Sequence, residues 1–430
     1  MRKNSKKWVA VAGIASLSLL ASACGGNDPE TPATTGAGGS TSGGAKDVTL
    51  TVATFNNFGY TDEFLQKYED EHPNITIVHN KAAESGDARK NFFQKLGKEG
   101  LADIEAVEVD WLSEAMQYSD LLAPVPEDLK GRWLDWKEKA ATDADGNLIG
   151  YGTDIGPQSI CYRQDLFEAA GLPSAPADVE KLFDGDWSNY LDVADQYREA
   201  TGKPMIDAAN SVLQGIVNQM EYTYDKPDGE VIATSNPEIE AAYKTVVERA
   251  IPNSKYSAQW GDDWNASMQN GEFAAILCPA WMHGIIAQTA PAVTGFNIAN
   301  VFPNGGGNWG GSYLTVPANG KNVAAAQELA DWLSAPETQV EAFLNVGTFP
   351  SQKDAYTIPK LTDHTDPYFQ DAPIGQIDAD RAEAVTVLPY KSADYYKYHD
   401  ALQNAVNRVF DGTEDATTSW NTFVTEVEAF

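Results

Sequence analysis

Residues 271–286 read Gly-Glu-Phe-Ala-Ala-Ile-Leu-Cys-Pro-Ala-Trp-Met-His-Gly-Ile-Ile, and they constrain the fold more than any other stretch. The apolar run 273–277 is short and bounded by Gly271 and Pro279, which marks a buried strand. Pro279 has no N–H for a ladder and fixes its own φ, so it ends that strand. Trp281 then stands where the chain leaves the sheet and enters a helix. In open α/β sheets, ligands collect outside the carboxyl ends of strands. A flat ring at that place can stack on the apolar face of a sugar and offer its N–H as a polar handle. It can equally be plain core, as buried tryptophan often is.

Around this stretch, strand and helix patterns alternate. Residues 47–55 alternate apolar side chains with threonine, a strand, and Asn56-Asn57-Phe58-Gly59 makes the turn after it. Thr61 is the expected N-cap of a helix over 61–72, ahead of Asp62 and Glu63, and Pro73 breaks it. A strand over 75–79, a helix over 87–96 and a strand over 102–109 follow, the last ending at Asp110-Trp111. Further strands are expected over 159–162, 203–207, 296–302 and 314–316. Helices are expected over 165–170, much of 178–251, 322–334 and the region after 368. This alternation predicts an α/β fold with doubly wound sheets. The body from residue 47 to 430 is too long for one compact core, so two lobes are expected.

The first residues read as a leader rather than as fold. Arg2, Lys3, Lys6 and Lys7 precede an apolar run over 8–20, too short to span a bilayer, which takes about 20 residues. Ala21-Ser22-Ala23 then precede Cys24, a pattern that looks like the lipobox of bacterial lipoproteins. It implies a signal peptide over 1–23 and a diacylglycerol on Cys24, although Ala21 stands where a leucine is usual. Ordinary secretion with a free Cys24 is the alternative. Residues 25–46 are mostly Gly, Ser, Thr, Pro and Ala, a flexible tether.

The net charge is −32; losing the leader takes Lys plus Arg from 30 to 26 against 62 acids, or −36. Such a body repels nucleic acid, an anionic membrane surface and strongly anionic ligands. A neutral or cationic ligand fits, and so does a plain need for solubility. With Cys24 lipidated, Cys161 and Cys278 remain as a pair in an oxidising compartment. Both lie in strand-like runs, so they form a disulfide or pack as two buried thiols.

Motifs for chemistry are scarce. The glycine-rich loop at 304–311 lacks the Gly-Lys-Ser/Thr ending of a P-loop and the spacing of a dinucleotide fingerprint. The histidines 72, 79, 283, 364 and 399 show no metal-ligand spacing. Asp143-Ala-Asp-Gly-Asn147 resembles the start of a calcium loop, but Leu148 stands where the sharp turn needs glycine, and a hairpin turn accounts for it. No cofactor and no metal are expected.

Four patches together resemble the extracellular solute-binding proteins of ABC importers, in the carbohydrate-binding group that includes maltose-binding protein. They are Ser159-Ile-Cys-Tyr-Arg-Gln-Asp-Leu-Phe-Glu-Ala-Ala-Gly-Leu-Pro173, the 271–281 stretch, 310–314 with 329–333, and Gly347-Thr-Phe-Pro350. The resemblance implies a two-lobed periplasmic-binding-protein-like fold of type II with the ligand cleft between lobes. Residues 47–153 plus 303–349 would form the N-lobe, and 154–302 plus 350–430 the C-lobe. It implies binding by hinge closure and no chemistry. It also implies a monomer, delivery to membrane permease subunits, and a place on the extracellular face of the bacterial cell membrane.

Carried over by position, it implies a stacking role for Trp281, with Trp264 and Trp309 as second platforms. Asn56, Asn57, Asp110, Trp111, Asp154, Gln158, Asp207, Asn210 and Tyr390 complete the expected cleft. A di- or oligosaccharide suits that set. The alternatives are a polyamine or peptide, and a secreted glycoside hydrolase with Asp154 and Asp207 as its carboxylate pair.

Overall fold

The computed structural model describes residues 46–430. The leader, Cys24 and the tether up to residue 45 lie outside the described residues. Ten strands organise the body: β1 Val48–Phe55, β2 Ile75–Ala82, β3 Ile104–Glu108, β4 Tyr151–Arg163, β5 Ile206–Ala208, β6 Ser254–Tyr256, β7 Ala275–Pro279, β8 Phe296–Ala299, β9 Asn308–Thr315 and β10 Phe349–Pro350. They run in the order β2-β1-β3-β9-β4-β7-β5-β6, with β8 and β10 also on β4.

β1 is parallel to both β2 and β3. The crossovers are the helices α1, Asp62–Glu71, and α2, Ser85–Lys95. Thr61 caps α1 by accepting the Phe64 N–H at 3.1 Å. A third helix, α3, Val109–Met116, follows β3 directly. β9 returns antiparallel between β3 and β4 and completes the N-lobe sheet.

β4 belongs to both lobes. Its first half pairs with β9 and β10, and its second half with β7 and β8. The sequence pattern starts this strand only at 159, whereas β4 also takes in residues 151–158 with Gly152, Gly156 and Pro157. The structure absorbs them as register shifts between Gly152 and Ile155 and between Ile155 and Pro157.

Three cores result. The N-lobe core gathers Leu50, Val52, Phe64, Trp111, Tyr151, Leu314 and Leu329. In the C-lobe, period-two alternation sends Ile160, Tyr162 and Leu277 to one side of the sheet. Cys161, Ile276 and Cys278 go to the other. Cys161 and Cys278 therefore share a face, and they are joined as a disulfide with Cα atoms 5.4 Å apart. The helix Pro336–Val346 is common to both lobes: Ala342 packs in the N-lobe core, Val340 and Phe343 in the C-lobe. Among the described residues, no helix is long and apolar enough to cross a membrane.

Candidate ligand cleft

A cleft of about 760 Å³ opens where the strands of the two lobes end. The N-lobe wall comes from the carboxyl ends of parallel strands, as the topology of open sheets dictates. Phe55, Asn56, Asn57 and Phe58 follow β1, Glu84 and Ser85 follow β2, and Glu108 ends β3. Asp154 comes from β4 and Ser312 from β9. The facing wall carries Trp260, Trp281 and Gln288, with Trp309 on β9 beside them.

The tryptophans form a corner. The Trp281 ring lies 5.9 Å from Trp260, tilted by 32°, and 5.5 Å from Trp309, nearly perpendicular at 79°. The Trp281 N–H donates to the Trp309 carbonyl at 2.8 Å. The polar handle expected of Trp281 is thus already bonded within the protein, and the ring offers only its face. Gly156 makes room for that bond. A Cβ there would lie 1.9 Å from the Trp309 carbonyl oxygen and 2.8 Å from Trp281 Nε1. Trp260 is 54% exposed and holds a left-handed φ of 75°, a conformation costly for a bulky residue. Such strain, in a large ring left open to a cleft, is a mark of function rather than of packing.

Asp207 explains how Trp260 is held. The Asp207 carboxyl is buried and accepts from Gln259 Nε2 at 2.6 Å, Trp264 Nε1 at 3.0 Å and Ser211 Oγ at 3.1 Å. Burial raises the carboxyl's pKa, and the donors partly offset that. Gln259 and Trp264 flank Trp260 in sequence, and the Trp264 ring lies 5.3 Å from that of Trp260. Asp207 and Trp264 therefore position the exposed ring from behind. Asp207 does not line the cleft, so it forms no carboxylate pair with Asp154 across it.

On the N-lobe wall, Trp111 Nε1 donates to Ser85 Oγ at 3.0 Å, and Ser85 Oγ donates to Glu108 at 2.5 Å. Burial and the nearby Asp110 charge push the Glu108 carboxyl up to about 8. Asp110 itself pairs with Lys391, a nearly buried lysine of the C-lobe, instead of facing a ligand. Lys137 lies behind Asp154, donating to its backbone carbonyl at 2.7 Å with Nζ 3.9 Å from the Tyr313 ring centroid. Burial pushes Lys137 down to about 7.

Of the residues expected in the cleft, the structure brings together Asn56, Asn57, Asp154, Trp281 and Trp309. The others stand elsewhere. Trp111 and Trp264 are buried in the cores, and Gln158 is fully buried. Asn210 is bonded to Asn407 at 2.9 Å inside the C-lobe. Tyr390 pairs with Tyr222, its ring 6.5 Å away. Sequence reasoning missed Glu84, Ser85, Glu108, Trp260, Gln288 and Ser312. β3 ends at Glu108, and Asp110, expected at the strand end, already lies in α3 two residues further on. Trp260 carried a legible signal, a tryptophan in a polar loop before glycine.

The fold and cleft define a two-lobed solute-binding protein. Residues 63–370 match the family model described as bacterial extracellular solute-binding protein. The chain is similar to a crystal structure titled extracellular solute-binding protein family 1, at 38% identity and a TM-score of 0.82, covering 89% of this chain and 99% of that one. It belongs to the bacterial extracellular solute-binding proteins, which bind rather than transform. More distant structures share the fold. One is the galacto-N-biose/lacto-N-biose I-binding protein of an ABC transporter from Bifidobacterium longum, in complex with lacto-N-biose (16% identity, TM-score 0.73, 90% of this chain and 97% of that one). Another is an ABC transporter associated binding protein from B. animalis subsp. lactis, in complex with β-1,6-galactobiose (16%, 0.70, 89% and 97%). No curated protein matches.

Proposed function

We propose that the chain captures a di- or oligosaccharide outside the cell and hands it unchanged to the permease of an ABC importer, as a monomer tethered through lipidated Cys24. The observation that carries this reading is the open corner of Trp260, Trp281 and Trp309 facing Asn56, Asn57, Glu84, Glu108 and Asp154. Aromatic faces suit the C–H faces of a pyranose, and carboxylates and amides suit its hydroxyls. The cleft volume lies within the usual range for small-molecule sites, about 300–1,000 Å³. The similar proteins solved in complex with lacto-N-biose and β-1,6-galactobiose support a saccharide of this size. β4 and the segment around Gly347, φ 87°, connect the lobes and are the natural hinge.

The test is a thermal-shift screen of the mature chain with Cys24→Ser against mono-, di- and trisaccharides, amino acids and peptides. A ligand at 100 times its Kd adds about 2.7 kcal/mol, a shift of a few degrees. A shift with one saccharide class, lost in Trp260→Ala, supports the reading; a shift confined to amino acids or peptides refutes it. Mass spectrometry of the mature N-terminus tests the lipid: an unmodified Cys24 excludes the anchor.

A further inference from the structure

The polar lining of the cleft is one-sided in charge. Glu84, Glu108 and Asp154 contribute carboxylates, and among the described residues no lysine or arginine lines the cavity. The two lysines behind it are engaged elsewhere, Lys391 with Asp110 and Lys137 with the Asp154 carbonyl and the Tyr313 ring. Neutral donors remain, the amides of Asn56, Asn57 and Gln288 and the hydroxyls of Ser312 and Thr348, while the Ser85 hydroxyl is already given to Glu108.

A neutral saccharide can give its hydroxyls to these carboxyl groups, but it brings no positive charge to the cleft, and its hydroxyls need donors as well as acceptors. Closing the lobes would withdraw acidic side chains from water with no counter-charge, which is costly, while Glu108, whose burial holds its carboxyl protonated at neutral pH in the empty cleft, would ionise beside a bound cation. The aromatic corner points the same way. With the Trp281 N–H bonded to Trp309, what the rings present is π-surface, which attracts a cation as readily as a C–H face.

We propose that the captured solute carries an ammonium group, as an oligosaccharide with free amino-sugar residues does, and that this group sits between the tryptophan corner and the carboxylates of Glu108 and Asp154. The Asp154 charge helps raise the Glu108 carboxyl, so an ammonium placed between the two favours the ionised form of Glu108. The strongly negative body adds long-range attraction for such a solute. The inference rests on the saccharide reading above and narrows it.

The experiment is calorimetric titration of the mature Cys24→Ser chain at pH 6.5. Glucosamine and galactosamine, as mono-, di- and trisaccharides, are each compared with the neutral glucose or galactose isostere, and spermidine is run beside them. The expected result is an amino sugar that binds about tenfold or more tighter than its isostere at low salt. That advantage shrinks several-fold on raising salt. In Glu108→Gln the ratio of the two affinities collapses, whereas a mere folding defect would weaken both alike. An isostere that binds as tightly as its amine overturns this inference and leaves the saccharide reading standing. Binding of spermidine alone, or of nothing, overturns the saccharide reading and this inference with it.

Discussion

Trp260 and Trp281 share a cleft but do different work, and substitution separates them. Trp260 is more than half exposed, its ring resting on those of Trp264 and Trp281 at the cleft surface. Trp260→Ala is expected to lower saccharide affinity about tenfold, about 1.4 kcal/mol, with an unchanged melting temperature for the empty protein. Trp281 is half-buried and bonded to Trp309, so Trp281→Ala should cost both affinity and stability. Calorimetry beside thermal melting tells them apart, and wild-type affinity in Trp260→Ala would remove that ring from the site. Glu108 makes a prediction in pH. Its folded-state carboxyl is raised from 4.5 to about 8, so the folded protein holds this proton more tightly than the unfolded chain does. The stability it contributes is complete below about pH 4.5 and is lost as pH rises through about 8. Glu108→Gln cannot ionise. It should match the wild type near pH 5 and exceed it near pH 9 by about 1–2 kcal/mol, allowing for solvent screening. A pH-independent difference in melting temperature would contradict the assigned environment.

At the scale of elements, β4 shows what was legible in the chain and what was not. Helices with a cap, such as α1 behind Thr61, and strands with clean apolar runs, such as β7, stand out because local chemistry and tertiary role agree. The first half of β4 does not, since its glycines answer to neighbours distant in sequence. Gly156 serves the Trp309 carbonyl, and a Cβ on Gly152 would lie 2.8 Å from the Trp133 ring. The same holds for the site. Asn56, Asn57 and Trp281 follow from the strand-end rule, whereas Glu84 and Glu108 depend on where a strand stops to the residue. Gly156→Ala tests the argument: the methyl must displace the Trp309 carbonyl and break its bond to Trp281. The expected cost is about 1–3 kcal/mol of stability, with more than tenfold loss of affinity. Normal binding by this variant would show that the cleft does not need the close approach. The disulfide acts on the same sheet. Cys161 and Cys278 are 117 residues apart, and replacing Cys278 with Ser should lower stability by about 2–4 kcal/mol. Equal melting temperatures with and without reductant would rule that out.

The whole molecule is tied across its lobes by the C-terminal segment. Lys391 leaves the C-lobe to pair with Asp110 at the start of α3, with both side chains largely buried. Tyr396, five residues on, packs against the cores of both lobes, and Arg89 of α2 lies over its ring at 5.8 Å. Asp110 is therefore less a ligand for a solute than a brace between the two lobes. Removing one end of a buried pair leaves an uncompensated charge, typically about 3–5 kcal/mol, whereas removing both ends is often nearly neutral. Lys391→Met is expected to lower the melting temperature sharply, and Asp110→Asn with Lys391→Met to recover most of the loss. If the pair did nothing but stabilise, the double variant would also bind like the wild type. If it braces the lobes, the double variant melts normally but shifts the balance between open and closed forms. Small-angle scattering would then show a larger radius of gyration without ligand, and affinity would change by the altered fraction of the binding-competent form. A double variant that is normal in stability, size and affinity would reduce Lys391 and Asp110 to packing.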